Sequence, residues 1–374
     1  MSLLGANDFH DKSVGLEVAA LKKLEYKCTS CGSILGKNED AFACSKCGQT
    51  WSLVDGIPNF LSKPIYWGEL SQDEMKNLLQ EARAKGWSNA MQRLKSAGSN
   101  LYRYATDEGR ARWRFLMPIT PESRILDLGA GYGSLSIPLA RVAGEVVSVD
   151  CVVERAHLIN CRAEEQGLSN ITPVLANVLE LPFAEGQFDL VIMNGMLEWV
   201  AIAETTMHPR EVQISFLSGV RQMLRPGGWV YIGIENRFGL WALRGMTDHG
   251  GLRYTSLMPR WLADLCMRLT VRKAEFRQSH VTNSYRTYTY SYKAYKDLLR
   301  LAGYKEIAIY QSYPGYNEAE QVIPLEHRQA YQYFLSHVFK PRSWKGRLFR
   351  RLMSDGTRIG LHRLIASGFG IMAR

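Results

Sequence analysis

Apolar runs of five or six residues alternate with longer amphipathic stretches through the middle of the chain, over residues 123–234. The runs are short and uninterrupted, as is typical of strands that are buried on both faces of a parallel sheet. This pattern predicts five strands, at 124–128, 145–149, 171–175, 188–193 and 229–234. The amphipathic periodicity predicts helices between them, at 134–143, 152–166 and 210–224. The alternation predicts an α/β fold with helices on both faces of the sheet.

A glycine-rich turn and an acidic residue follow the first two predicted strands. Gly129, Gly131 and Gly133 stand at alternate positions after the first strand, where they let the backbone turn sharply and approach a ligand closely. Asp150 ends the second strand, and its carboxylate can accept hydrogen bonds from two ribose hydroxyls. Together they predict a nucleoside-binding βαβ unit. A tight strand–helix turn that binds nothing is the alternative.

Three further motifs follow in order: Leu-Pro-Phe at 181–183, Phe-Asp-Leu-Val at 188–191 and Leu-Arg-Pro-Gly-Gly at 224–228. With the glycine turn and Asp150, these segments resemble the class I S-adenosylmethionine-dependent methyltransferases over residues 123–234. The resemblance implies a Rossmann-like α/β sheet of seven strands with helices on both faces. It places the remaining helix and strands, the last of them antiparallel, at 291–303, 305–310 and 369–374.

The same resemblance implies S-adenosylmethionine as the cofactor. It carries the binding role to the glycine turn and the strand ends, namely Asp127, Gly129, Ala130, Gly131, Gly133, Asp150, Cys151, Asn177, Val178 and Asn194. Asn177 stands where the family usually has an aspartate facing the adenine amino group, and its amide oxygen can accept that hydrogen bond. Pro138 departs from the pattern and predicts a kink or two tight turns at the start of the first helix.

Two long insertions, 238–290 and 311–367, leave the predicted sheet near the carboxyl ends of its strands, where ligands bind in open α/β sheets. Their polar and aromatic residues suit a sugar or a polyhydroxylated aromatic acceptor. Methyl transfer to a hydroxyl also needs a group that takes the hydroxyl proton. The candidates for this base are His249 first, then Glu235, Glu198 and His280. A structural role is the alternative for each.

A separate module at residues 26–61 carries two cysteine pairs, Cys28 with Cys31 and Cys44 with Cys47. Each pair has the Cys-x-x-Cys spacing of a zinc knuckle. Four thiolates close the coordination sphere of Zn²⁺, so we expect a structural zinc ribbon. Two disulfides are the alternative, which a reducing compartment disfavours. The ribbon resembles the zinc-binding activator subunit of tRNA and release-factor methyltransferases and the zinc module of ribosomal RNA guanine methyltransferases.

The length of 374 residues predicts two or three domains. We place them at 1–63 (lead-in and ribbon), 64–118 (helical linker or cover) and 119–374. The 46% apolar and 22% charged content is typical of a soluble globular protein. Without a membrane-spanning run or a signal segment, the expected location is cytoplasmic. A net charge of +10 favours an anionic partner: RNA, a nucleotide-linked or phosphorylated substrate, or an anionic membrane surface.

The segment 344–353 places Trp344, Leu348 and Leu352 on one helical face, beside four cationic side chains. Such a face can rest on an anionic membrane surface. The sequence instead favours a lid helix that packs on the sheet or on a partner subunit. The basic, aromatic stretch 101–117 is likewise interpreted as a cover for the sheet rather than a surface that stacks on bases. The sequence predicts no oligomeric state.

These observations predict a methyltransferase that acts on a hydroxyl of a sugar or another small polar molecule. The segments 194–200, 256–263 and 285–290 look like those of bacterial and archaeal methyltransferases of cell-surface glycan and secondary-metabolite clusters. An RNA base methyltransferase is the alternative that the ribbon and the charge support, although no Asn-Pro-Pro-Tyr-type segment follows the fourth strand. A cofactor-binding scaffold without catalysis is the third interpretation.

Overall fold

A computed structural model of the chain describes residues 21–96, 100–249, 251–270 and 284–374. Near the N-terminus, four short strands form an antiparallel sheet with the order β1-β2-β3-β4. These strands are β1 Gly36–Lys37, β2 Ala41–Ala43, β3 Thr50–Val54 and β4 Ile57–Pro58.

The large sheet has eight strands in the order β11-β10-β12-β9-β8-β5-β6-β7. They are β5 Arg124–Leu128, β6 Glu145–Asp150, β7 Ile171–Leu175, β8 Phe188–Asn194, β9 Leu224–Glu235, β10 Ile307–Tyr313, β11 Gln321–Pro324 and β12 Gly368–Ala373. Strands β5 to β9 are parallel, and β12 lies antiparallel between β9 and β10. This arrangement confirms the predicted Rossmann-like sheet and the antiparallel last strand.

The prediction of seven strands is one short, because β11 adds an eighth. It pairs antiparallel with the second half of β10, from Tyr310 opposite Pro324 to Tyr313 opposite Gln321. The strand is only four residues long and lies at the edge of the sheet. An edge strand of this length carries too little hydrophobic pattern to be recognised from the sequence.

Twelve α-helices are present in the described part of the chain. They are α1 Gln72–Lys85, α2 Trp87–Ser96, α3 Asn100–Thr106, α4 Ser136–Ala140, α5 Val153–Glu165, α6 Pro209–Met223, α7 Leu240–Leu243, α8 Arg260–Thr270, α9 Tyr292–Leu301, α10 Arg328–Tyr333, α11 Trp344–Gly356 and α12 Leu361–Ile365. Single-turn and 3₁₀ segments lie at Glu108–Leu116, Val200–Ile202, Tyr316–Glu318 and Thr357–Ile359, and a π-helical turn at Phe334–Val338.

Two local predictions are wrong in their extent. The first helix of the βαβ unit covers only Ser136–Ala140 instead of 134–143. Pro138 is the third helical residue, a position where the missing N–H has no helical partner to lose, so the helix starts just before it. The fifth strand is longer than the predicted 229–234, since α6 stops at Met223 and β9 begins at once with Leu224.

Apolar side chains pack on both faces of the large sheet. Successive residues of a strand point to opposite faces of the sheet. Accordingly, Ile125 belongs to one apolar cluster, whereas Leu126 and Leu128 belong to the other. On the first face Trp113, from the 3₁₀ segment Glu108–Leu116, stacks on Tyr231 with 3.6 Å between ring centroids. The basic, aromatic stretch therefore covers the sheet through its tryptophan.

The ribbon packs against the edge of the large sheet beside β7. The N–H of Phe60 donates to the carbonyl oxygen of Leu175 over 2.7 Å, and the N–H of Lys27 donates to that of Pro182 over 2.8 Å. The rings of Tyr26 and Phe60 stack with 5.0 Å between centroids, and Phe183 follows at 5.7 Å from Tyr26. The metal module and the sheet thus share one aromatic cluster.

Helix α11 shows two apolar faces. Phe349 packs on Phe339 with 6.1 Å between ring centroids, and Met353 is buried. The predicted stripe of Trp344, Leu348 and Leu352 is instead exposed. Of the two surfaces predicted for the lid, the sheet and a partner subunit, the sheet is therefore excluded. None of the helices in the described ranges combines the length and the apolar character needed to span a bilayer.

Candidate active site

A cavity of about 670 Å³ lies at the carboxyl ends of β5, β6 and β8. This volume is typical of pockets for small ligands. Seven predicted cofactor residues line it: Gly129, Gly131, Asp150, Cys151, Asn177, Val178 and Asn194. Glu198 and His249, two of the predicted catalytic residues, line the same cavity. We call this space the nucleoside cavity.

The turn after β5 is tied to Asp150 by its backbone. Gly129 and Gly131 have φ angles of 71° and 57°, in the left-handed region that favours glycine. The N–H of Gly131 donates to Asp150 Oδ2 and the N–H of Val152 donates to Asp150 Oδ1, each over 2.9 Å. Each carboxylate oxygen keeps a further lone pair. Asp150 can therefore still accept the two hydroxyl hydrogens of a ribose.

Asp127, Ala130 and Gly133 lie behind the cavity wall. The hydroxyl of Ser136 donates to Asp127 Oδ2 over 2.6 Å, and burial raises the pKa of Asp127 to about 6. Gly133 has a φ of 73°, and a Cβ at this position would come within 3.1 Å of Ile159. These residues shape the turn without lining the cavity.

Asn177 and Cys151 form part of the wall next to Asp150. The N–H of Leu179 donates to Asn177 Oδ1 over 3.1 Å. The amide oxygen that is expected to face an adenine amino group thus already accepts one hydrogen bond, and only its second lone pair is available. Burial raises the pKa of Cys151 to about 12, so this thiol remains neutral and serves as apolar surface.

The segment between the ribbon and α1 supplies a wall that was not predicted from the sequence. Its residues in the nucleoside cavity are Lys63, Ile65, Trp67 and Glu69. The ring of Trp67 meets that of Trp199 edge-to-face with 5.4 Å between centroids, and Arg155 Nη2 donates to Glu69 Oε2 over 2.6 Å. The segment has no hydrophobic period that would have marked it. Its one local signal is a pair of aromatic residues, Tyr66 and Trp67, close to the end of the ribbon.

A second cavity, of about 500 Å³, is built mainly from the two insertions. Hydroxyl-bearing side chains are frequent in its wall: Thr247, Ser256, Tyr285, Thr287, Thr289, Tyr316 and Ser367. His249, Tyr316 and Asn317 line both cavities. The two spaces therefore meet at these three side chains. We call the second space the acceptor cavity.

Three predicted catalytic residues come together where the cavities meet. His249 Nε2 lies 3.3 Å from Glu235 Oε1 and 3.6 Å from Glu198 Oε1. The hydroxyl of Tyr316 donates to Glu235 Oε1 over 2.7 Å. The ring of Trp199 packs edge-on against that of His249, with 4.4 Å between centroids. The fourth candidate, His280, lies outside the described residues.

Burial and ion pairing compete in this cluster. Burial alone lowers the pKa of His249, but the carboxylates of Glu235, Glu198 and Asp248 outweigh it and raise this pKa to about 9. For Glu235, burial favours the neutral acid, yet the charge of His249 and hydrogen bonds from His249 and Tyr316 hold the pKa below its ordinary value. Burial, reinforced by the two glutamates, raises the pKa of Tyr316. At neutral pH His249 is therefore an imidazolium and Tyr316 a neutral phenol.

Asn317, which the sequence alone did not single out, connects the cluster to the strand ends. Its Oδ1 accepts hydrogen bonds from Asn194 Nδ2 over 3.2 Å and from Arg110 Nη2 over 2.7 Å. Asn194 Oδ1 is buried and accepts no hydrogen bond within the described part of the chain. The atom packs against Gly233 of β9, in the space that a Cβ at that position would occupy.

The four predicted metal ligands converge in the ribbon. Cys28 Sγ lies 3.5 Å from Cys47 Sγ, and Cys31 Sγ lies 3.4 Å from Cys44 Sγ. These distances are too long for a disulfide bond of about 2.05 Å. They are close to the roughly 3.8 Å edge of a tetrahedron with metal–sulfur bonds of about 2.3 Å. The cluster thus has the donor set and the spacing of a closed thiolate metal site.

Glu198, Glu235 and His249 also bring ligand atoms within 4.8 Å of one another, a spacing that a divalent cation can bridge. The imidazole of His249 already lies within ion-pair distance of both carboxylates. These ion pairs account for the cluster without a metal ion.

Residues 126–232 match the family described as a methyltransferase domain. The matched span runs from β5 to β9 and includes the glycine turn, Asp150 and Glu198. The span that carries the predicted motifs therefore matches a methyltransferase domain.

Several known proteins resemble part of the chain. The ubiquinone biosynthesis O-methyltransferase of Roseobacter denitrificans is 34% identical over 115 residues, which are 30% of this chain and 42% of that protein. The 23S rRNA (uracil(1939)-C(5))-methyltransferase of Photobacterium angustum is 39% identical over 82 residues, 21% of this chain and 37% of that protein. The chain thus spans about two fifths of the length of these relatives and about a quarter of others.

Solved structures show only a loose likeness. Phosphoethanolamine N-methyltransferase 2 of Haemonchus contortus, in complex with S-adenosyl-L-methionine, superposes with a TM-score of 0.41 and 14% identity. The match covers 82% of this chain and 60% of that one.

The ion pairs of His249 lead to a prediction about its charge. In Glu235→Gln, the carboxylate that contributes most to raising the His249 pKa is removed and burial remains. The pKa should then fall from about 9 toward the ordinary histidine value of about 6.5. Histidine NMR titration, with His249→Gln to assign the signal, measures this pKa. The control is Glu326→Gln, which removes an acid that pairs with Lys296 and should leave the pKa of His249 unchanged. An unchanged pKa in Glu235→Gln would contradict the role of Glu235 in raising it.

Proposed function

We propose that this protein transfers a methyl group from S-adenosylmethionine to a hydroxyl of a sugar or another small polar molecule. The observation that supports this most directly is the meeting of the two cavities at His249, Tyr316 and Asn317. A methyl donor in the nucleoside cavity and a hydroxyl in the acceptor cavity would meet beside side chains that can hold a proton. The many hydroxyl groups in the acceptor wall suit a polyhydroxylated molecule.

The proposed cofactor contacts follow from the wall of the nucleoside cavity. Asp150 accepts the ribose hydroxyls, and Gly129 and Gly131 allow the close approach of the methionine portion. Asn177 and Val178 bound the space for the adenine, with Cys151 as an apolar neighbour of Asp150. S-adenosylmethionine supplies an electrophilic methyl group on a positively charged sulfonium. Asp127, Ala130 and Gly133 contribute by holding the turn in shape.

In this proposal most of the rate acceleration comes from positioning, because an in-line methyl displacement needs donor and acceptor to be aligned. Asn194 and Asn317 are placed for this role. Their hydrogen bond crosses from the end of β8 to the second insertion, and both side chains line the nucleoside cavity. Two carboxylates around one imidazole also favour a positive charge nearby, which suits a sulfonium.

His249 is the proposed general base. Because Nε2 faces the carboxylates of Glu235 and Glu198, the proton of the acceptor hydroxyl would pass to Nδ1. This transfer requires a neutral ring, whereas in the free protein the pKa of His249 is about 9. A bound positive charge beside the ring lowers that pKa. Once protonated, the imidazolium is stabilised by Glu235 and Glu198, which lie 3.3 and 3.6 Å from Nε2. Tyr316 holds Glu235 in place through its hydroxyl.

The four-cysteine cluster is proposed to hold one structural Zn²⁺. All four positions of the metal are then occupied by Cys28, Cys31, Cys44 and Cys47, so no open position remains for chemistry. The ribbon leads directly into residues 63–69, which line the nucleoside cavity. The metal is therefore expected to support the cofactor site through the chain that follows the ribbon.

An RNA base is the second candidate acceptor. One relative is a 23S rRNA methyltransferase, and the net charge of +10 suits a polyanion. A base would have to leave its stack and enter the acceptor cavity. A scaffold that binds the cofactor without transferring its methyl group is the third possibility, and the assay below distinguishes all three.

Calorimetric titration tests the cofactor assignment. S-adenosylmethionine and S-adenosylhomocysteine are expected to bind, and NAD is not. Asp150→Ala should weaken binding roughly 100-fold or more, because two hydrogen bonds to a charged carboxylate are lost. Asp297→Ala removes an exposed carboxylate of α9 and should leave the affinity unchanged. Full affinity in Asp150→Ala would refute the proposed site.

Labelled methyl transfer then identifies the acceptor class. Label in the small polar fraction of an extract supports the proposed function. Salt-sensitive label in RNA supports the second candidate. Tight cofactor binding without label in either fraction supports the scaffold.

The pH dependence of the rate tests His249. Because the base must be neutral, kcat/KM for the cofactor should rise with pH up to the free-enzyme pKa of about 9. The rise in kcat should occur at lower pH, since a bound positive charge lowers the His249 pKa. His249→Gln should lose this rise and about 10²-fold or more in kcat. If the variant keeps the wild-type profile, another group is the base.

Metal analysis tests the ribbon and its link to the cofactor site. The purified protein should contain one zinc per chain, and Cys44→Ser should contain none. Cofactor affinity should fall about tenfold or more in Cys44→Ser, because residues 63–69 lose the support of the folded ribbon. Cys266→Ser removes a thiol of α8 outside the ribbon and is the control. Unchanged affinity in metal-free protein would show that ribbon and site are independent.

A further inference from the structure

Helix α11 carries an unpartnered apolar stripe on the surface. Trp344 is 63% exposed, Leu348 50% and Leu352 56%. At 3.6 residues per turn these three side chains fall within about 80° of one another around the helix. Ile359 in the following turn is 85% exposed. Monomeric proteins seldom leave a tryptophan and two leucines of one helix in water without a function for that surface.

The stripe is not needed to attach the helix to the protein. Phe349 and Met353 fill that role from the inner face, where Phe349 contacts Phe339 and Met353 is buried. Phe339 in turn contacts Tyr313 with 6.0 Å between ring centroids, and Tyr313 precedes the loop that walls the acceptor cavity. The inner face of the helix thus contacts residues next to the acceptor cavity, while its outer face remains uncovered.

The charge around the stripe is strongly positive. Residues 340–351 contain six cations and no acid: Lys340, Arg342, Lys345, Arg347, Arg350 and Arg351. Within the described part of the chain, none of the six forms an ion pair with an acidic side chain. By helical position, Lys345 flanks the stripe on one side, and Arg347 and Arg351 flank it on the other. Apolar side chains bordered on both sides by cations fit a partner that has an apolar interior beneath an anionic surface.

We propose that α11 docks the protein peripherally on an anionic phospholipid bilayer. Trp344, Leu348 and Leu352 enter the boundary between headgroups and acyl chains, and the flanking cations contact lipid phosphates. Six like charges in one segment disfavour a second copy of the same face as the occupant. Two of the three residues in the stripe are leucines, which have no ring to stack on bases, and this disfavours a nucleic acid as the occupant. This inference is independent of the proposed function.

Vesicle binding of the full chain tests the proposal. Co-sedimentation compares vesicles of phosphatidylcholine with vesicles that contain 30% phosphatidylglycerol. The protein should bind the anionic vesicles at least about tenfold more tightly, and raised salt should weaken this binding. Equal binding to both vesicles, or to neither, would overturn the proposal.

Paired variants locate the binding surface. Leu348→Glu and the double change Arg347→Glu with Arg351→Glu should each lower affinity for the anionic vesicles at least about tenfold. Leu301→Glu on α9 and Arg112→Glu replace exposed residues of the same types elsewhere and should bind like wild type. Circular dichroism and melting temperature establish that each variant is folded.

Three further outcomes would overturn the proposal that α11 binds the bilayer. Equal losses in the α11 variants and their controls would mean that the overall charge binds the vesicles. If Leu348→Glu turns a dimer into a monomer without changing vesicle binding, the stripe is a subunit interface. If the α11 variants lose RNA binding and keep vesicle binding, the surface contacts nucleic acid.

Discussion

The carboxylate of Asp150 accepts hydrogen bonds from two backbone N–H groups, those of Gly131 and Val152. The first of these bonds joins the end of β6 to the turn after β5, so the shape of the turn and the position of the acid are a single structural unit. The turn can make this bond because Gly129 and Gly131 adopt positive φ angles. The floor of the nucleoside cavity, whose wall also includes His249, depends on this unit.

The parallel strands and the glycine turn could be predicted because their signals are local. Each strand is an apolar run flanked by turn residues, and the turn shows its glycines directly in the sequence. Strand β11 could not be predicted, since its pairing with β10 comes from the fold and its four residues lie at an edge. The wall formed by residues 63–69 was missed for a similar reason, because no periodicity marks a segment whose position depends on the ribbon docking beside β7.

The residue types of the candidate site could be predicted from the sequence, but the protonation states of its side chains could not. Three of the four predicted catalytic residues meet where the cavities join. The pKa of His249 is raised mainly by Glu235, with Glu198, and only the fold brings these two carboxylates beside the ring. Asn317 illustrates the same limit. It gains its place only because the second insertion brings it beside Asn194 at the end of β8. Such convergence is a property of the tertiary structure, which a pattern along the chain does not contain.

The course of residues 63–69 affects how this protein can be divided. Composition and motifs alone suggest cutting near residue 119 to isolate the α/β unit, yet such a fragment would lack Trp67 and Glu69 and would expose their contact partners, Trp199 and Arg155. A shortened recombinant form, or a natural shuffling event that exchanged the N-terminal part, would open one flank of the pocket to water. The smallest unit with a complete pocket therefore begins at Lys63, directly after the ribbon.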